Sequence, residues 1–187
     1  MITLTRPIFC SLTEVDHVTL GNLIRRGQVP FAVDQKVSGR GYSMFEAYLM
    51  SLSMNFAQVH RIELIRSAEI VANLPVVLRP VWQEIGRTGK LLAAGTDRPV
   101  VEIMAGRAAR AGLPPVAIAG TDRAIDAALR KLDGAVIGSV RISATLQAAQ
   151  FIQRARKHDV QIPAEFWTGP LVYRPRQLIT PADAGQQ

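Results

Sequence analysis

Between Leu12 and Tyr48 the apolar positions change period several times, and those changes outline the first part of the chain. Leu20, Leu23 and Ile24 recur at i, i+3 and i+4, the stripe of an amphipathic helix. Thr19 reads as its cap and Gly27 as a left-handed end, so the pattern predicts a helix over 20–26. Ser11 and Glu14 have capping-box spacing and predict a shorter helix just before it, ending near His17. Residues 1–10 read as extended. Val29, Phe31 and Val33 alternate as a strand with one buried face does. Lys36-Val37-Ser38-Gly39-Arg40-Gly41-Tyr42 reads as the tip and return of a hairpin, with glycines supplying positive φ. Ser43, with Glu46 three residues on, caps a new helix whose apolar face is Phe45, Tyr48, Leu49 and Leu52. The run from Ser51 to Asn55 predicts a break, after which a longer helix extends to about Asn73 and stops at Pro75.

The second half reads as a short helix from Val81 to Ile85, then a basic turn, Gly86-Arg87-Thr88-Gly89-Lys90. Its first glycine is misplaced for a phosphate-binding loop, so a surface loop is expected. A boundary falls at Thr96-Asp97-Arg98-Pro99. Beyond it, strands are predicted over 100–104, 115–119 and 135–142, and helices over 121–132 and 143–158, in the order β-β-α-β-α. The tail carries Phe166, Trp167 and Tyr173 among prolines and reads as an irregular wrap or a partner-binding arm. The expected fold class is α+β, with domains at 1–75 and 76–187, a helical connector opening the second.

Composition narrows the function. A chain of 187 residues with 48% hydrophobic and 20% charged positions is globular, and its single cysteine, Cys10, excludes an internal disulfide framework. No apolar run reaches membrane-span length and the N-terminus lacks a signal-peptide pattern, so a cytoplasmic location is expected. Net charge is +7, mostly from arginine, the electrostatic footprint of a nucleic-acid partner. His17, His60 and His158 have no metal-ligand spacing, and no nucleophile elbow or GxGxxG occurs. No enzyme activity, metal or cofactor is expected. An active-site reading would need a pocket lined by Arg107, Arg110 or Asp122.

Residues 11 to about 66 resemble the MerR-type winged helix-turn-helix, a fold shared with excisionase-like proteins. The family's second helix and its exit are similar to Val18-Thr19-Leu20-Gly21-Asn22-Leu23-Ile24-Arg25-Arg26-Gly27-Gln28-Val29-Pro30. Its wing return is similar to Gly41-Tyr42, and its next helix corner to Ser53-Met54-Asn55-Phe56. Ser43 stands where the family usually has an arginine, and no heptad run for a long dimerisation helix follows Pro75.

The resemblance implies a sequence-specific transcriptional regulator that binds double-stranded DNA as a homodimer. The helix over 19–26 would enter the major groove and the 36–42 wing would lie on the backbone. Thr19, Asn22 and Arg25 would face bases, with Asn22 suited to adenine and an arginine to guanine. Arg26, Lys36 and Arg40 would meet phosphates, joined by the Tyr42 hydroxyl. The second half would dimerise, sense a ligand or contact the transcription machinery. Two alternatives stand beside this: an excisionase-like architectural protein that bends DNA, and a protein-interaction module with a winged fold.

Overall fold

The computed structural model describes residues 3–33, 41–96, 100–108, 116–132 and 136–176. Strand β1 (Thr3–Leu4) pairs antiparallel with β2 (Tyr42–Ser43), so a two-residue ribbon brings the start of the chain against position 42. Between them lie α1 (Arg6–Thr13) and α2 (His17–Arg25). Proline in the first turn suits α1, because that N–H has no helical partner. Glu14, left-handed at φ 56°, ends α1, and residues 14–16 are all that separates the two helices. Phe9, Leu12, Val15, Leu20 and Leu23 hold the pair together in the core.

The first two helices differ in their limits from the sequence expectation. The first runs over Arg6–Thr13 rather than from Ser11 to near His17, since Phe9, Cys10 and Leu12 form its buried face, and His17 opens α2 instead. The second is capped by Asp16, not Thr19: its carboxylate accepts the N–H groups of Val18 and Thr19, each at 2.9 Å. Gly27 does end the helix as expected, at φ 62°, with the Gln28 N–H returning to the Leu23 carbonyl at 2.8 Å. Residues 29–33 are irregular rather than a strand, although Val29 and Phe31 are buried. The expected hairpin tip, with Lys36 and Arg40, lies outside the described residues.

Helix α3 (Met44–Gln58) is the centre of the molecule, with nearly its whole length out of solvent. The Ser43–Glu46 capping box forms as its spacing predicts: Glu46 N–H donates to Ser43 Oγ at 3.0 Å and Ser43 N–H to Glu46 Oε2 at 2.9 Å. The expected break at Ser51–Asn55 does not occur. Ser51 Oγ donates back to the Ala47 carbonyl at 3.0 Å and Ser53 Oγ meets Ser67 Oγ at 3.1 Å, so the helix carries these hydroxyls through the core. The chain breaks later, and α4 (Leu64–Ala72) and α5 (Leu74–Leu78) follow, Pro75 opening α5 instead of ending a long helix.

After a 3₁₀ turn at Arg79–Val81, α6 runs over Trp82–Ala93 and absorbs the stretch expected to be a surface turn. Packing gives the reason. A Cβ at Gly86 would lie 2.6 Å from the Trp167 ring, and one at Gly89 would lie 2.8 Å from the Ala148 Cβ, so these glycines let a ring and a helix approach α6 closely. The order β-β-α-β-α then appears as β3 (Glu102–Ala108), β4 (Val116–Gly120), α7 (Asp122–Leu132), β5 (Val136–Ser143) and α8 (Ala144–Lys157). The sheet order is β4-β3-β5, with β3 antiparallel to both neighbours and a register shift at Gly106/Arg107. Helix α8 packs on α6, and a short α9 (Glu165–Thr168) covers α6.

The hydrophobic core is continuous across the boundary expected at 75/76. Tyr48 of α3 packs edge-on against Trp82 at 5.1 Å and Phe151 at 5.9 Å between ring centroids, and its hydroxyl donates to the Ala144 carbonyl at 2.9 Å. The tail wraps back: Tyr173 meets Phe45 at 5.5 Å.

Candidate nucleic-acid interface

Helix α2 divides into two faces. Leu20 and Leu23 are buried, whereas Val18 is 73% exposed, Arg25 and Arg26 are exposed, and Thr19 and Asn22 are partly so. Positions 18, 22 and 25 follow helical spacing, so one stripe offers a methyl pair, an amide and a guanidinium. The guanidinium of Arg25 donates to the Asn22 side-chain oxygen, which orders both groups. Thr19 Oγ1 donates to Asp16 Oδ2 at 2.5 Å, so this hydroxyl also takes part in the cap. Those bonds, the Thr19 hydroxyl first, hold the Asp16 carboxyl below the usual carboxylate range.

Tyr42 is placed differently from the phosphate-contacting role expected of it. Only 7% of it is exposed. Its ring lies 4.2 Å from Phe9 and 6.2 Å from Phe31, centroid to centroid, and burial pushes the phenol pKa up. It packs the root of the ribbon. Lys36 and Arg40 lie outside the described residues, so the structure brings together Thr19, Asn22, Arg25 and Arg26 and leaves those two out of the description.

Three arginines missed by local sequence reading converge on the same region. Arg6 Nη2 donates to the His17 carbonyl at 2.9 Å, at the first residue of α2. Arg174 sits at the start of α3: its Nε and Nη2 reach Glu46 Oε1 and Oε2 at 2.7 and 2.8 Å, and its guanidinium carbon lies 5.9 Å from the Tyr42 ring centroid. The hydrogen bond to Glu46 raises the Arg174 pKa. Arg176 Nη1 donates to the Val29 carbonyl at 3.3 Å. The last two lie 128 and 147 residues from their partners in sequence, which no local pattern can signal.

The other candidates have structural explanations. Asp122 and Asp126 both bind the Arg141 guanidinium, with Glu102 at 4.0 Å, a surface ion cluster beside β3. Arg107 is exposed at the end of β3, and Arg110 lies outside the described residues. Burial raises the Cys10 thiol pKa, which disfavours the nucleophilic thiolate. Among the described residues no three metal-binding side chains cluster, and no helix is long and apolar enough to cross a membrane. No protein-family model matches the chain, and a search of curated proteins returns no similar sequence.

Proposed function

We propose that this chain belongs to the proteins that read duplex DNA with one short helix, and that α2 is that helix. Its particular role is that of a sequence-specific transcriptional regulator of the MerR-like winged helix-turn-helix kind, acting as a homodimer. The observation that carries this reading is the division of α2. One side is locked to α1 through Leu20 and Leu23, and the other presents Val18, Thr19, Asn22, Arg25 and Arg26. A major groove admits one α-helix, and its edges are read by these chemistries: amide to adenine, guanidinium to guanine, methyl to the thymine methyl. The three-residue connection from α1 and the exposed guanidinium-bearing end of α2, Arg25 and Arg26, add support. The net charge of +7 favours the polyanion.

The test is selection of bound duplexes from a random pool, followed by Asn22→Ala and Arg26→Ala. Asn22→Ala should relax preference at one position, by about 1–3 kcal/mol of discrimination. Arg26→Ala should weaken binding to all duplexes alike. A pool that never converges, with binding that bends DNA at closely spaced tandem copies, would point to the architectural alternative. No enrichment at all would remove DNA from the account and leave the protein-interaction reading.

A further inference from the structure

The C-terminal segment 171–176 is attached to the region that follows α2. Ser43 Oγ donates to the Val172 carbonyl at 2.6 Å, the Ala32 N–H to the Arg174 carbonyl at 3.0 Å, and the Arg174 N–H to Glu46 Oε1 at 3.1 Å. The two arginines in it are used differently. Arg174 commits its guanidinium to Glu46, whose side chain is 2% exposed, so it is held in the interior. Arg176 is only half-buried, and among the described residues its guanidinium donates to the Val29 carbonyl at 3.3 Å. A guanidinium has five N–H donors in a planar fork, so a donation to one carbonyl orients it while other N–H groups can meet a further acceptor.

We propose that residues 171–176 are part of the DNA-binding surface, with Arg176 contacting a backbone phosphate beside the groove that α2 enters. This rests on the reading of α2 given above. Val29 lies three residues past Arg26, so Arg176 is anchored at the chain exit of the proposed reading helix. A fixed fork suits a phosphate better than a base edge here, because it sits on the connecting segment and not on the exposed stripe of α2. The chain's last described segment thereby extends a contact that the sequence assigns only to the first third.

The experiment compares wild type, Arg176→Ala and Arg176→Lys by fluorescence anisotropy on one selected duplex over a salt series, with thermal melting to verify folding. Loss of one phosphate contact should reduce the slope of log K against log salt by about 0.9 in magnitude. Arg176→Lys should restore that slope. The sequence preference of Arg176→Ala should match wild type, since a phosphate contact carries no base information. An unchanged slope in a folded Arg176→Ala, with wild type binding normally, overturns this proposal and leaves α2 as the reader. Absence of wild-type binding at low salt overturns the reading of α2 and this proposal with it.

Discussion

Removal of the Arg174 side chain should destabilise the whole molecule, although the residue lies close to the end of the described chain. Glu46 is the second member of the α3 capping box, and its carboxylate accepts four hydrogen bonds. Two come from main-chain N–H groups, Ser43 at 2.9 Å and Arg174 at 3.1 Å, and two from the Arg174 guanidinium at 2.7 and 2.8 Å. Arg174→Ala removes the guanidinium and strands a carboxylate that is 2% exposed. Breaking a buried pair from one side costs roughly 3–5 kcal/mol. Arg174 is itself 22% exposed and both main-chain donors survive, which places the expected loss near the lower end, about 3 kcal/mol. For a chain of this size that corresponds to a fall in Tm of roughly 6–12 °C. Urea unfolding followed by circular dichroism measures it, read as a shift in midpoint at constant slope. Glu46→Gln removes the charge from the other side, so the double variant should lose less than the two single losses added together. A loss below about 1 kcal/mol, or strict additivity, would refute the claim that this pair anchors the tail to α3.

Other outcomes follow from the same contacts. Tyr48→Phe should cost about 0.5–1.5 kcal/mol by chemical denaturation, because it removes the buried hydrogen bond from the Tyr48 hydroxyl to the Ala144 carbonyl. Gly86→Ala should cost about 1–3 kcal/mol and alter tryptophan fluorescence, since its Cβ would meet the Trp167 ring at 2.6 Å. The folded-state pKa of Asp16 is depressed, so its contribution is present above the unfolded value and lost as pH falls through the folded one. The stability gap between wild type and Asp16→Ala, measured by melting over a pH series, should therefore be full at neutral pH and close in acid. Val18→Glu on the exposed stripe should abolish DNA binding with folding intact, read by anisotropy beside a melting curve.

Local chemistry was legible in the sequence where one segment decides its own conformation. The Ser43–Glu46 box, the left-handed Gly27 and the order β-β-α-β-α all formed at the expected places. Misreadings occurred where distant packing outweighs local preference. Gly86-Arg87-Thr88-Gly89-Lys90 has the composition of a turn, but Trp167 and Ala148 need those glycines inside a helix. The serines after Met50 look like a breaker, yet their hydroxyls are satisfied within the helix and by Ser67. For the candidate interface, the polar and basic positions of α2 were legible because a 3.6-residue period separates them from Leu20 and Leu23. Val18 was not singled out, though it is the apolar residue that falls off the buried stripe. Arg174 and Arg176 could not be found, since their partners are brought to them only by the folded chain.

Binding of duplex DNA by the exposed stripe of α2 is tested most directly by anisotropy of a labelled duplex with wild type and with Arg25→Ala/Arg26→Ala, from low to physiological salt. Wild-type binding should weaken steeply with salt, and the double variant should fold normally but lose at least about tenfold in affinity with a shallower salt slope. Wild-type binding that the double variant retains in full, or no wild-type binding even at low salt, would contradict DNA binding through α2.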